Sequence, residues 1–202
     1  MLALNLRSHP RVDLDQIDQR VFLNLSWSDF ELFLKARGDT SANRITYLDG
    51  LLEIMSPSTN HELIKTNLAR LIESWAIERD VELNGYGSWT IKQKRRKSGV
   101  EPDECYVIGL LGDRKFPDIA LEVVWTSGGI DKLAVYHRLK VPEVWIWENG
   151  GLQAYCRRPS TYVARAKSEL LPELDLAVLS RHSLSTDQHG TVKRFIASLR
   201  RH

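Results

Sequence analysis

An apolar run, Ile119-Ala-Leu-Glu-Val-Val-Trp125, precedes a helical stretch from Asp131 to about Leu139, and Glu143-Val-Trp-Ile-Trp-Glu148 follows. Strand, helix and strand within about thirty residues make a parallel crossover unit, which chain chirality makes right-handed. This pattern commits the chain to an α/β fold.

The flanking segments fill in the plan. Residues 1–25 show no firm periodicity and read as a lead-in, strand-like or loose. Ser28-Asp-Phe-Glu31 matches a capping box, Phe30, Phe33 and Leu34 give the helix behind it an apolar stripe, and Gly38 stops it. Residues 44–55 read as a hairpin turning at Asp49-Gly50. After the break at Ser56-Pro57-Ser58, a helix is expected over 59–79, with Ile64, Leu68, Leu71, Ile72 and Trp75 on one face. Strands are expected at 81–92, 100–108 and 117–125, then the crossover helix and strand, a hairpin over 151–166 and a terminal helix over 190–200. No repeat or low-complexity linker interrupts the pattern, so residues 26–202 read as one domain.

Composition excludes several classes. With 43% apolar residues and six tryptophans among 202, the chain has ample material for a core. A net charge of +2 does not by itself argue for a nucleic-acid partner, so any such surface must come from local clustering. The two cysteines, Cys105 and Cys156, form no close pair, which suits a reducing cytoplasm rather than a disulfide framework or zinc site. No apolar run approaches the roughly 20 residues that cross a bilayer, so no membrane association is expected.

Within this frame the chemistry concentrates on Asp103, Glu122 and Lys132. A hard divalent cation such as Mg2+ or Mn2+ is commonly held by one or two carboxylates. It can neutralise a phosphodiester and activate a water, while a nearby ammonium orients that water. Spacing selects the acids. Asp118 and Glu122 share a strand face but stand roughly 13 Å apart at 3.3 Å per residue, too far to chelate one small ion directly. Facing residues on neighbouring strands have Cβ atoms about 5 Å apart, which makes Asp103 opposite Glu122 the better pair. Lys132 begins the crossover helix behind Gly128-Gly129, with Tyr136 one turn later on the same face.

Further motifs accompany this constellation: Tyr47-Leu-Asp-Gly50, Glu53-Ile-Met-Ser-Pro57, His61, Glu101-Pro-Asp103, Pro117-Asp-Ile-Ala-Leu-Glu-Val123, and Lys132 with Tyr136 and Val141-Pro-Glu-Val-Trp145. In this order they resemble the Uma-type restriction-endonuclease family, a branch of the PD-(D/E)xK nuclease superfamily, over about residues 26–150. The resemblance implies a restriction-endonuclease-like mixed β-sheet core with flanking helices in αβββαβ order, and a metal-dependent endonuclease acting on DNA. It implies Asp103 and Glu122 as metal ligands and a lysine displaced from its usual place, here Val124, to Lys132. The chain departs from the family pattern at Trp125 (usually serine), Lys140 (usually glycine) and Asn60 (usually a carboxylate).

Each candidate has a plainer alternative. Asp103 fits a turn after proline, Glu122 a buried salt bridge, and Lys132 a stem lying along the helix surface. His61 is equally a core histidine, and Glu53 either points to the site or is an edge charge. The run Lys92, Lys94, Arg95, Arg96 and Lys97 suits a loop contacting the nucleic-acid backbone or a solvated hairpin tip. Homodimerisation is expected of enzymes that cut both strands of a duplex. A second function class is a nuclease-fold binding module without catalysis.

Overall fold

The computed structural model describes residues 17–38 and 42–201, and most of the N-terminal lead-in (1–16) lies outside them. In chain order the elements are β1 (Gln19–Asn24), α1 (Trp27–Arg37), β2 (Arg44–Leu48), β3 (Leu51–Ser56), α2 (Thr59–Glu78), β4 (Leu83–Gly85), β5 (Ile91–Gln93), β6 (Ser98–Val100), β7 (Glu104–Ile108), β8 (Ile119–Val124), α3 (Lys132–Leu139), β9 (Glu143–Glu148), β10 (Gly151–Arg157), β11 (Tyr162–Arg165), α4 (Leu176–His182) and α5 (Gln188–Leu199). A single 3-10 turn spans Lys94–Arg96.

The strands form two sheets, ordered β1-β3-β2-β6-β5 and β11-β10-β9-β8-β7-β4. The crossover unit is present: β8 and β9 pair in parallel, with Glu122 beside Ile146. The expected αβββαβ core is α2, β4, β7, β8, α3 and β9, and β5–β6 is diverted into the first sheet.

Two of the expected strands divide. The 100–108 segment ends one sheet at Val100 and enters the other at Glu104. The last ladder bond runs from Glu101 N to Ile45 O at 2.9 Å, and Pro102 has no N–H with which to continue it. The 81–92 segment divides likewise into β4 and β5, around Gly87 at φ +58°. The capping box also moves. Ser26, not Ser28, caps α1, and its side chain accepts from Asp29 N. Asp49 and Gly50 both take positive φ, the geometry of a tight two-residue hairpin turn. Lys140 takes φ +64° where α3 ends, a left-handed position that suits the glycine of the family pattern.

Strand alternation sorts the core. Ile119, Leu121 and Val123 face α2, α4 and α5, packing with Ile64, Leu68, Ile72, Trp75, Leu176 and Phe195. On the other face Ala120 packs with Val135, Tyr136 and Leu139 of α3 and with Ile91 and Val100 of the first sheet. Glu122 points to this second side, so α3 and the first sheet form the walls around it. No helix among the described residues is long and apolar enough to cross a membrane.

Candidate active site

Antiparallel β7 and β8 pair Glu104 with Leu121 and Cys105 with Ala120. One further step of this register sets Asp103 against Glu122, on the same face of the sheet. Asp103 Oδ2 accepts a hydrogen bond from Val123 N at 2.8 Å, which fastens the two strands at this point. Glu122 receives the Tyr136 hydroxyl on Oε1 and the Lys132 ammonium at 3.3 Å on Oε2. Lys132 and Tyr136, one helical turn apart, thus converge on one carboxylate. Asp131 caps α3 and presents Lys132 as its first residue.

His61 lies fully buried between two carboxylates. Its Nε2 is 3.0 Å from Asp103 Oδ1 and its Nδ1 is 3.3 Å from Asp18 Oδ2. Arg44 Nε approaches Asp103 Oδ1 at 3.5 Å. Glu53 sits on β3, an interior strand between β1 and β2, rather than at an edge. Its Oε1 accepts from Arg20 Nε at 3.1 Å and its Oε2 from Ile130 N at 2.6 Å. Glu53 therefore anchors the loop that delivers Lys132. Gly129 permits this approach, because a Cβ there would lie 2.9 Å and 3.0 Å from the two Glu53 oxygens. Gly129→Ala is expected to push Glu53 off Ile130 N and cost about 1–3 kcal/mol of stability, the range for overpacking a tight contact. Urea denaturation would read this as a lower midpoint at unchanged slope.

The charges are arranged against the cost of burial. Burial raises the Asp103 carboxyl, but the His61 charge and hydrogen bond, Lys132 and the Val123 amide outweigh it and bring it down to about 2. Burial pulls the His61 imidazole down, but Asp103 and Asp18 overcome this and raise it to about 9. Glu122 goes the other way: burial, with the Asp103 charge added, pushes it up to about 7 against the pull of Lys132 and Tyr136. Burial and the neighbouring charges thus drive the acidities of the two adjacent carboxylates in opposite directions.

A cleft of about 260 Å³ opens over this cluster, lined by Glu122, Lys132, Glu53, Arg20, Thr126 and the Gly128–Ile130 loop. Asp103 does not line it and lies behind Glu122. The basic run is elsewhere. Lys92 to Lys97 projects near the far end of α3, where Arg96 donates to Arg138 O and Arg138 pairs with Asp49 at 2.6 Å. Cys105 is a core residue, its thiol pushed up to about 12 by burial.

The donor set suits a small hard cation. Among the described residues no trio of His, Cys, Asp or Glu is arranged as a metal site. Mg2+, however, is commonly held by only one or two carboxylates, completed by water and phosphate oxygens. Asp103 Oδ1 is fully buried and faces His61 Nε2 at 3.0 Å and Arg44 Nε at 3.5 Å, so an ion bound there would share an oxygen already facing cations. Asp103 and Glu122 are the residues that would hold such an ion.

Residues 27–187 match the Uma2 family, described as "Putative restriction endonuclease". The chain belongs to this family. No curated protein matches it. Among solved structures it is similar to one reported as "a putative nuclease belonging to DUF820 from Anabaena variabilis", at TM-score 0.53 and 16% identity over 85% of this chain and 97% of that one. The Uma2 chain thus shares a nuclease fold with that protein. Two site residues, Asp18 and Arg20, precede the matched span, and sequence reasoning missed both. Arg44 was missed as well. The one local signal for the first two was their spacing of two, which puts both charges on one strand face.

Proposed function

We propose that this protein is a divalent-metal-dependent DNA endonuclease in which Asp103 and Glu122 hold the ion and Lys132 positions the attacking water. The observation that carries the reading is the contact of Lys132 with Glu122 at 3.3 Å on the wall of an open cleft, with Asp103 in register behind. A bound divalent cation supplies charge neutralisation on the scissile phosphate and lowers the pKa of a water. Lys132, its side chain 15% exposed, carries ammonium donors placed between the Glu122 carboxylate and the cleft that it lines. Tyr136 fixes the other Glu122 oxygen, so the carboxylate cannot rotate away from Asp103. Arg20 adds a second cation on the cleft wall for a phosphate oxygen. Basic Lys92, Lys94 and Lys97, exposed beyond α3, suit the flanking duplex.

Plasmid nicking in Mg2+ or Mn2+ tests this reading. Wild-type protein converts supercoiled DNA to the open form and Asp103→Ala does not. Absence of nicking by the wild type, or equal nicking by the variant, would overturn the reading. The second reading, a DNA-binding module without catalysis, is favoured by the burial of Asp103 with His61 and Arg44 against one of its oxygens. Calorimetry separates the two, because a module gives no Mg2+ heat that depends on Asp103 or Glu122.

A further inference from the structure

We propose that Asp18, which lies ahead of the family-matched span, is a positioning residue that fixes the Asp103 carboxylate through the His61 ring. The inference rests on the nuclease reading above and extends the site into the N-terminal strand. The Asp18 side chain is fully buried. Its Oδ1 accepts from Ser58 N at 3.0 Å, and its Oδ2 lies 3.3 Å from both His61 Nδ1 and Thr126 N. The Asp18 amide donates in turn to Thr126 Oγ1 at 3.1 Å. One carboxylate therefore joins the entry to β1, the N-cap of α2 and the loop leaving β8.

The consequence for Asp103 follows from the ring. Rotation about the second torsion of a histidine is broad and roughly two-fold when nothing holds it. With Nδ1 directed at Asp18, Nε2 has one direction left, towards Asp103 Oδ1 at 3.0 Å. The other Asp103 oxygen is fixed by Val123 N at 2.8 Å. The plane of the proposed metal ligand is thus set by one backbone amide and one ring, with Arg44 Nε at 3.5 Å beside them, and Asp18 determines the orientation of that ring. Orienting partners of this kind typically change metal affinity by about 10–100-fold when removed. The Asp18 contacts span 40 to 108 positions of sequence, so in this reading the segment entering β1 belongs to the site.

The test measures Mn2+ binding by calorimetry, with plasmid cleavage in parallel, on the full chain and on Asp18→Asn, His61→Gln and the double variant. Asparagine keeps the shape of the side chain but removes its charge and turns one acceptor into a donor. The expected result is a loss of Mn2+ affinity of at least about tenfold in Asp18→Asn, with kcat reduced and KM for DNA little changed. In the His61→Gln background the same substitution is expected to add less than about twofold, because residues acting in series are not additive. If circular dichroism shows Asp18→Asn unfolded, the smaller Asp18→Ser carries the same comparison. Equal affinity of wild type and Asp18→Asn overturns the role of Asp18 and leaves the nuclease reading intact. So does a full additional loss on the His61→Gln background, which marks general structural support. Wild type that binds Mn2+ but leaves DNA uncut overturns the nuclease reading alone, since the affinity comparison still reads Asp18. Wild type that binds no Mn2+ overturns both.

Discussion

Glu122→Gln is expected to lower DNA cleavage by roughly 10²–10³-fold, the scale for removing one preorganised electrostatic contact to the reacting groups, while leaving the protein as stable as the wild type or more so at alkaline pH. The two halves have one cause. Glu122 is buried and its carboxyl is pushed up to about 7 by burial and by the Asp103 charge, against the pull of Lys132. Because the folded value lies above the ordinary 4.5, the native protein keeps this proton between about pH 4.5 and 7 while the unfolded chain releases it. Stability from this group is therefore fully present below pH 4.5, falls as pH rises through 7, and stays low above that. Glutamine is never ionised and removes that slope. It keeps the volume, and its one oxygen can still accept from the Tyr136 hydroxyl while the Lys132 contact is given up, so no cavity forms. Urea denaturation at pH 5.5 and 8, beside plasmid nicking, checks both halves. Retained cleavage, or a variant much weaker than wild type at pH 8, would remove Glu122 from its proposed role.

The core of the fold was legible because its signals are local and periodic. The apolar run at 119–125, the helix behind it and the run at 143–148 declare the crossover, and long-helix periodicity declares α2 with its apolar face. The facing of Asp103 and Glu122 followed from strand spacing alone, since only neighbouring strands bring two acids within reach of one ion. What failed depends on tertiary choices. Whether a strand continues in one sheet or crosses to another is decided by which edge accepts it. At 100–108 the sole local hint was Pro102. Helix α4 has seven residues, too few for a helical period to emerge from the pattern. Asp18 was illegible for the same kind of reason: its partners are Ser58, His61 and Thr126, and nothing near it in sequence announces them. Glu53 gave half its meaning. Its face was readable, but its neighbour across the strand is β1, whose pairing no motif announced.

His61→Ala is expected to give the largest loss of stability in the molecule, about 3–5 kcal/mol, because removing one partner of a buried ion network strands the others. Asp18 and Asp103 have fully buried side chains, and the imidazole is the cation they share. The variant leaves both carboxylates facing an empty space, with only the longer contacts of Arg20 to Asp18 at 3.6 Å and Arg44 to Asp103 at 3.5 Å remaining, so both are expected to take up protons at higher pH than in the wild type. The pH dependence then changes shape. In the wild type the His61 value is raised from 6.5 to about 9, so its contribution is fully present below pH 6.5 and is lost as pH rises through 9. At about 1.4 kcal/mol per unit, the swing is on the order of 3 kcal/mol. Asp103 has the opposite sign. Lowered from 3.8 to about 2, it contributes above pH 3.8 and loses that contribution as pH falls through 2. Wild-type stability should therefore decline on the alkaline side between pH 6.5 and 9. His61→Ala should lose that alkaline decline and show a steeper loss above the acid range instead. Urea midpoints from pH 4 to 9.5 for both proteins measure this directly. A variant that keeps the alkaline decline would show that another group carries it, and that the bridge between the two aspartates is not a charged one.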